Sequence, residues 1–156
     1  MERKKEDNGE AIASSMLKMA GLQVPIISII IGEGSSGGAL AIGVGNKVLM
    51  LENAIYSILS PEGYASILWK DSSRAKEAAE RMKLTAKDLY DFDIIDGIIK
   101  EPQEDSFEKV SKDLKKQIIK LTEELQKLSP EEIVENRYQK FRKMGKNTLV
   151  NKINGR

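Results

Sequence analysis

The sequence predicts an α/β core followed by a C-terminal helical tail, and two contrasting patterns carry this prediction. Roughly the first hundred of the 156 residues combine short β-branched runs with glycine-rich turns, which is typical of short buried strands. The remaining residues are charged and repeat apolar side chains at the spacing of amphipathic helices. We therefore divide the chain into a core over residues 1–102 and a helical pair with a basic tail over residues 103–156.

The core begins with a helix, a strand and a glycine-rich turn. Residues 11–22 have the apolar periodicity of an amphipathic helix. Pro25 then opens the run PIISIII, a continuous apolar stretch that predicts a strand buried on both faces. The segment from Gly32 to Gly38 predicts a tight turn, and the small residues ALAIG after it predict a short helix packed closely against its neighbours.

Two further strands and three capped helices follow along the core. The runs KVLMLEN and AIYSILS predict short strands. Ser60, Asp71 and Thr85 each precede a helical pattern and can cap it, and Pro61 suits the first position of its helix. The run IIDGIIK predicts a last short strand or turn before Pro102.

The tail predicts two helices. Seven apolar residues form one stripe along the first of them: Phe107, Val110, Leu114, Ile118, Leu121, Leu125 and Leu128. Ser129 to Glu132 forms a capping box with a proline at the first helical position, and the second helix should end near Gly145. A single stripe favours packing against the core or a partner over a coiled coil. The basic residues 140–152 predict a solvated end.

The composition excludes several classes of chemistry. The chain contains 25 lysine and arginine residues against 24 aspartate and glutamate residues, so its net charge is +1. This balance gives no electrostatic reason to expect nucleic acid or an acidic membrane as the main partner. Cysteine and histidine are absent, which excludes disulfides, thiolate zinc sites and a serine nucleophile activated by a histidine of this chain. No metal site is expected, because no EF-hand-like run is present.

Neither a secretory signal nor a membrane span is expected. The first ten residues, MERKKEDNGE, are charged and lack the apolar run of a signal peptide. The longest apolar stretch, from Val24 to Ile31, is too short to cross a bilayer. We expect a cytoplasmic protein.

The glycine-rich segment partly matches a dinucleotide-binding fingerprint. Gly32, Gly34 and Gly37 have the GxGxxG spacing after a strand, and Glu52 follows the next strand, near where a ribose-binding acid would lie. Only about eight residues separate the last glycine from that strand, whereas a Rossmann crossover needs a helix that spans the sheet. We keep this interpretation as a lesser alternative. A phosphate-binding P-loop is excluded, since no GK[ST] string is present.

Two interpretations of the same segment involve catalysis. A serine nucleophile at Ser35 or Ser36 would need a lysine or another chain as its base. An oxyanion hole needs no side chain: glycines that open a helix leave backbone N–H groups unpaired, and the helix dipole favours negative charge there. The structural alternative is that Gly37, Gly38 and Ala39 only permit close packing of helix and strand. From these residues alone, both of the last two interpretations stay open.

Longer motifs in the chain resemble a known family. The strings GEGSSGGALAIGVG and SPEGYASILWK are similar to signature segments of the carboxyltransferase alpha subunit of bacterial acetyl-coenzyme A carboxylase. The tail LSPEEIVENRYQKFRKMG is similar to the C-terminus of that family. The resemblance extends from about Gly9 to Gly145 and is far more specific than a glycine motif.

The resemblance implies a fold and an activity. The fold would be α/β and crotonase-like (ClpP/crotonase), a partial spiral of ββα units with a C-terminal helical tail. The activity would be transfer of the carboxyl group from carboxybiotin on the biotin carboxyl carrier protein to acetyl-coenzyme A, giving malonyl-coenzyme A for fatty acid synthesis. Biotin would not be bound covalently to this chain. A beta subunit carrying a zinc ribbon would share the active site in an α2β2 assembly.

The resemblance also implies roles for particular residues. The backbone amides of Gly37 and Gly38 would form the oxyanion hole that holds the biotin ureido oxygen as negative charge develops on it. Six further residues are candidates for lining the substrate pocket: Gly34, Ser35, Ser36, Ser60, Glu62 and Gly63.

The chain also departs from the family pattern. The long N-terminal portion of family members, with its early spiral strands, has no counterpart ahead of the matched segment, so we expect a core that is incomplete at its N-terminus. Ser35 stands where the family commonly has glycine and Tyr64 where it has cysteine; neither change removes a backbone donor. A second hypothesis follows, in which the chain is catalytically incomplete and only docks with the beta subunit.

Overall fold

A computed structural model of the chain describes residues 8–102 and 107–145. In chain order the elements are α1 (Asn8–Ala20), β1 (Ile27–Ile30), β2 (Glu33–Ser35), α2 (Ser36–Gly43), β3 (Lys47–Leu51), β4 (Ile55–Ser57), α3 (Pro61–Trp69), a 3-10 turn (Ser72–Arg74), α4 (Ala75–Met82), α5 (Ala86–Asp91), β5 (Gly97–Ile99), α6 (Phe107–Leu125) and α7 (Pro130–Lys143). The charged first residues and most of the predicted basic end, residues 146–156, lie outside the described residues, so the expectations for them remain predictions.

Two small parallel sheets organise the described core. Strands β1, β3 and β5 form the first sheet in the order β1-β3-β5, and β2 pairs with β4 in the second. The central strand β3 is apolar on both faces, with Val48, Leu49 and Met50 buried. Parallel pairing places the carboxyl ends of neighbouring strands at one edge, where the helices that follow them begin.

Two expectations about the first strands are corrected. The strand predicted to be buried on both faces, β1, alternates between half-buried and buried residues, and Ile31 just after it is exposed. The reason is position, because β1 lies at an edge of the sheet and β3 occupies the centre. The predicted tight turn after β1 contains a strand of its own, β2, whose partner β4 is 22 residues further along the chain at the Glu33–Ile55 pair.

The predicted helix starts are confirmed by their capping bonds. The Ser60 hydroxyl accepts from the Gly63 amide at 3.1 Å, and the Thr85 hydroxyl accepts from the Asp88 amide at 3.2 Å. Asp71 accepts from the Ser73 amide at 3.0 Å and starts the 3-10 turn ahead of α4. In the Ser129 capping box the hydroxyl accepts from the Glu132 amide, and the Glu132 carboxylate accepts from the Ser129 amide. Each bond satisfies an amide that would otherwise lack a partner at a helix end.

The Arg137 side chain ties α7 to the segment between α1 and β1. The residue is 1% exposed. Its terminal nitrogens donate to five oxygens at 2.9 Å: the carbonyls of Met19, Ala20, Leu22 and Val24 and Oδ1 of Asn46. The first two carbonyls end α1, where the helix dipole favours a cation. Burial lowers the pKa of Arg137, yet a guanidinium stays protonated in proteins.

Asn46 extends this network to the start of β3. Its Oδ1 also accepts from the Ile26 amide at 3.1 Å, and its Nδ2 donates to the Ile133 carbonyl at 2.9 Å and to Asn136 Oδ1 at 3.0 Å. Nearby, Asp96 Oδ2 accepts from the Val48 amide at 2.7 Å and from the Lys140 ammonium. Helix α7 is therefore bonded to the ends of the central sheet at two places. The division of the chain at residue 102 remains a proposal.

We expect Arg137→Met to lower the free energy of unfolding by about 2–4 kcal/mol, because buried carbonyl groups would lose their donor. Arg137→Lys should recover little, since a single ammonium cannot reach five oxygens. Urea unfolding followed by circular dichroism measures both variants. The matched control is Arg142→Met at an exposed position of the same helix, which should change the free energy by less than about 0.5 kcal/mol. Equal losses at the two positions would contradict the assignment.

Candidate functional site

The junction between β2 and α2 has an uncommon backbone. Ser35 ends β2 in an extended conformation and precedes the helix, but its side chain makes no capping bond to the described residues. Ser36 opens α2 with a φ of 59°, a left-handed conformation that is uncommon for a residue with a Cβ. Such conformations persist only where the surrounding structure enforces them, and they cluster at functional sites.

The first turn of α2 presents unpaired backbone donors. The amides of Gly37 and Gly38 precede the first intrahelical bond and have no helical acceptor, whereas the parallel pairing of Ser35 with Ser57 uses the Ser36 amide. Within the part of the chain that the structure describes, no side chain caps them. Two amides and the positive end of the helix dipole therefore lie at one end of α2, an arrangement that suits an anionic oxygen.

Gly37 and Gly38 differ in the space that a Cβ atom would have at each position. A Cβ at Gly37 would lie 3.1 Å from Cδ1 of Ile12, so α1 packs closely on this position. A Cβ at Gly38 would meet no heavy atom within 4 Å, and the residue is exposed. The close-packing interpretation thus applies to Gly37 and has no support at Gly38. Open space next to the Gly38 amide leaves room for a ligand to approach.

The Ser60–Gly63 turn lies at the same edge of the small sheet as the glycine turn. Ser35 at the end of β2 is opposite Ser57 at the end of the parallel strand β4. Helix α2 follows Ser35 directly, and α3 begins at Pro61, four residues after Ser57. Because both helices leave the carboxyl edge of paired strands, their N-termini lie at one side of the sheet.

The candidates of the second turn have structural partners of their own. The Ser60 hydroxyl caps α3, and a Cβ at Gly63 would lie 3.4 Å from it. Glu62 is exposed in the first turn, where its charge favours the helix end. A contact between these residues and a substrate remains a proposal. In β2, a Cβ at Gly34 would lie 2.8 Å from the Tyr56 ring, so this position requires glycine for packing.

Tyr56 and Ser57 are the residues near the turn that the sequence did not indicate. Tyr56 donates its hydroxyl proton to the Ala39 carbonyl at 2.8 Å, and burial raises the pKa of its phenol. Ser57 donates to the Leu59 carbonyl at 2.9 Å. Both belong to a three-residue strand, and their position beside the glycine turn depends on a pairing that no sequence pattern displays.

A large apolar cavity of about 970 Å³ lies beside the C-terminal half of α2. It is lined by residues from α1, α2, β4 and α7, including Met16, Leu17, Leu40, Tyr56 and Phe141. None of the candidate site residues from Gly34 to Gly38 lines it. Leu17 and Ile58, at its mouth, are more than half exposed. The cavity and the glycine turn are therefore separate features that share Tyr56.

Glu52, the candidate ribose-binding acid of the dinucleotide interpretation, is engaged elsewhere. Its carboxylate accepts from Lys100 Nζ at 2.5 Å and from the Glu101 amide at 3.3 Å, and these bonds lower its pKa. The helix between β1 and β3 is only eight residues long. Neither feature fits a Rossmann unit, whose crossover helix spans the sheet.

Two features are absent from residues 8–102 and 107–145. No group of three or more acidic, histidine or cysteine side chains is arranged to hold a metal ion there. No helix in these ranges is both long and apolar enough to cross a membrane.

The chain has a crotonase-like α/β fold, as predicted, and its likeness to two solved structures carries this assignment. It matches a chain of the transcarboxylase 12S crystal structure with methylmalonyl-coenzyme A and methylmalonic acid bound, at a TM-score of 0.52 and 19% identity. The match covers 74% of this chain and 24% of that chain. A second transcarboxylase 12S structure, with hydrolysed methylmalonyl-coenzyme A bound, matches at a TM-score of 0.52 and 16% identity. At these identities the likeness concerns the fold alone.

The chain belongs to the acetyl co-enzyme A carboxylase carboxyltransferase-like family, whose model matches residues 1–145. The family resemblance inferred from the motifs is thus confirmed. The carboxyl transferase subunit alpha of Clostridium acetobutylicum is 52% identical over 149 residues, which cover 94% of this chain and 54% of the relative. The subunit alpha of Clostridium beijerinckii is 56% identical over 140 residues, which cover 88% and 52%.

A further relative carries two subunit names in one polypeptide. The acetyl-coenzyme A carboxylase carboxyl transferase subunits beta/alpha of Natranaerobius thermophilus is 52% identical over 141 residues, covering 88% of this chain and 23% of the relative. The chain spans about half of the length of its alpha-subunit relatives: the match covers 54% and 52% of the two Clostridium proteins.

We expect Ser60→Ala to destabilise the chain by about 1 kcal/mol, because the Gly63 amide would lose its capping acceptor. Ser60→Asp should retain most of the stability, since a carboxylate caps a helix equally well and suits its positive end. Thermal unfolding of the two variants beside the parent chain measures this difference. A Ser60→Ala variant as stable as the parent chain would show that the cap contributes nothing at this position.

Proposed function

We propose that this chain is the glycine-turn part of an acetyl-coenzyme A carboxylase carboxyltransferase alpha subunit. In this role it takes part in transferring the carboxyl group from carboxybiotin to acetyl-coenzyme A, which yields malonyl-coenzyme A. One observation carries the proposal: the first turn of α2 presents uncapped amides next to open space at Gly38. Family membership over residues 1–145 supports the choice of reaction.

The amides of Gly37 and Gly38 act as an oxyanion hole in this proposal. They bind the ureido oxygen of biotin, on which negative charge grows as the carboxyl group leaves. Donors fixed in advance at the site of developing charge need no reorganisation during the reaction, which makes them effective. Biotin itself, carried by the carrier protein and not attached to this chain, supplies the transferable carboxyl group and a nitrogen that can accept a proton.

The chain's own residues fit this assignment in three ways. The donors are backbone groups, so the absence of histidine and cysteine from the sequence is no obstacle. The exposed Gly38 has no neighbour that a bulky ligand would displace. The Ser60–Gly63 turn, at the same edge of the small sheet, is in a position to contribute substrate contacts together with Gly34, Ser35, Ser36 and Glu62.

A beta subunit is the proposed partner. The Natranaerobius relative named subunits beta/alpha joins the two in one polypeptide, which supports a shared assembly. We propose that the beta subunit holds the zinc ribbon and most of the acetyl-coenzyme A contacts in an α2β2 arrangement. The carrier protein delivers carboxybiotin, and the setting is cytoplasmic fatty acid synthesis.

A second candidate function is docking without catalysis. The observation that favours it is the apolar cavity beside α2, since the exposed leucine and isoleucine side chains around it suit a bound polypeptide. In this alternative the chain binds the beta subunit, but the oxyanion hole is not completed.

The discriminating experiment is malonyl-coenzyme A-dependent carboxylation of biocytin, with and without added beta subunit. Activity only in the mixture supports the carboxyltransferase function. Complex formation, measured separately by analytical ultracentrifugation, without any carboxylation supports the docking function. Absence of both would contradict the two proposals together.

We expect Gly38→Pro to lower kcat for biocytin carboxylation by about 10²–10³-fold, because proline removes one oxyanion donor. The lost N–H has no helical acceptor at this position, but the proline also disfavours the helical conformation of Gly37, so the loss reports on both amides of the turn. Gly38→Ala is the matched control, since it keeps the amide and its Cβ meets nothing within 4 Å. Similar kcat values for the proline and alanine variants would contradict the oxyanion assignment.

A further inference from the structure

Tyr56 contacts both sides of the glycine turn. Its backbone belongs to β4, opposite Gly34 in β2. Its hydroxyl donates to the Ala39 carbonyl in α2 at 2.8 Å. One side chain therefore bridges the strand that enters the turn and the helix that leaves it.

The space around the Tyr56 ring explains two glycines outside the first turn of α2. A Cβ at Gly34 would lie 2.8 Å from Cδ2 of the ring, and a Cβ at Gly43 would lie 2.2 Å from the hydroxyl oxygen. Real Cβ atoms do not approach heavy atoms so closely. Both glycines are therefore needed for the ring to occupy this position, and neither has a positive φ that would require glycine.

The C-terminal half of the short helix α2 is held by the Ser28 hydroxyl of β1, which donates to the Ile42 carbonyl at 2.5 Å, so the question is what holds its N-terminal half. Helix α2 has little support of its own there. It is eight residues long, its first residue has a left-handed φ of 59°, and Ser35 does not cap it with its side chain. Ile12 of α1 packs near Gly37 on one side. The Tyr56 ring, wedged between Gly34 and Gly43, fixes the helix from the other side.

We propose that Tyr56 is a positioning residue, which fixes the direction of the Gly37 and Gly38 amides by locking α2 against β2. The consequence for carboxyl transfer rests on the proposed function, whereas the effect on the two amides does not. Tyr56 touches no reacting atom in this proposal. It acts through the wedge between two glycines and through the hydroxyl bond to Ala39.

The first test is a set of thermal unfolding measurements on five variants: Tyr56→Phe, Gly43→Ala, Gly34→Ala and each glycine variant combined with Tyr56→Phe. Gly43→Ala should lower the unfolding midpoint by several degrees, because its Cβ would collide with the Tyr56 hydroxyl. Adding Tyr56→Phe removes that oxygen and leaves the nearest ring atom at 3.5 Å, so the double variant should unfold at the midpoint of Tyr56→Phe alone. Gly34→Ala is the matched control: its clash is with Cδ2, which phenylalanine retains, so Tyr56→Phe should not rescue it. If the losses in unfolding midpoint for Tyr56→Phe and Gly43→Ala were additive in the double variant, the proposed packing of Tyr56 against Gly43 would be overturned.

The second test reads the two amides directly. In ¹⁵N relaxation measurements, the order parameters of Gly37 and Gly38 should fall in Tyr56→Phe, from about 0.85, typical of a rigid backbone, towards about 0.6. Tyr90→Phe, at an exposed tyrosine of α5, is the control and should leave both values unchanged. Unchanged values in Tyr56→Phe would overturn the positioning role even if the protein were less stable.

The third test adds the beta subunit and measures biocytin carboxylation. Tyr56→Phe should lower kcat by roughly tenfold with little change in KM, since a misplaced donor costs rate and not ground-state binding. An unchanged kcat beside lowered order parameters would overturn the link between positioning and transfer. If the parent chain itself transferred no carboxyl group, the proposed function would fail, and the first two tests would still decide the role of Tyr56.

Discussion

The buried guanidinium of Arg137 is the interaction on which the arrangement of the remaining elements depends. It joins α7 to the carbonyls that end α1, to the connection that leads into β1, and to Asn46 at the start of β3. Among the residues that the structure describes, four carbonyls and the Asn46 side-chain oxygen accept from this cation and no carboxylate pairs with it, so its position is set by the direction of several carbonyl groups at once. Removing the guanidinium would break the hydrogen bonds that join α7 to the end of α1. Helix α1 is in turn the helix that packs on Gly37.

The candidate site depends on a second constraint, the pairing of β2 with β4. That pairing places the N-termini of α2 and α3 at one edge and brings Tyr56 between Gly34 and Gly43. The glycine turn is therefore supported from two directions, by Ile12 of α1 and by Tyr56 of β4. Such support from rigid elements is what lets backbone amides act as fixed donors, since an oxyanion hole that must reorganise loses most of its advantage.

Much of the local structure could be predicted because it is encoded by neighbouring residues. Ser60, Thr85 and Ser129 cap their helices as expected, since capping involves residues within one turn of each other. The family could also be identified, because long motifs are specific. The prediction that β1 is buried on both faces was wrong, since an apolar run does not tell an edge strand from a central one. The strand β2 was missed, because a three-residue strand inside a glycine-rich turn has no pattern of its own.

The sequence by itself determined the fold class and the family, and it excluded chemistry that needs a histidine or a cysteine of this chain. Composition and contiguous motifs can be read without knowing how the chain folds. It also singled out Gly37 and Gly38, but it could not separate packing from an open donor. Only the tertiary structure decided that question at each glycine, by placing Ile12 against Gly37 and leaving Gly38 without a neighbour. The same holds for Tyr56, whose two glycine contacts lie 22 and 13 residues away in the chain, because distances across a fold follow from strand pairing and helix packing.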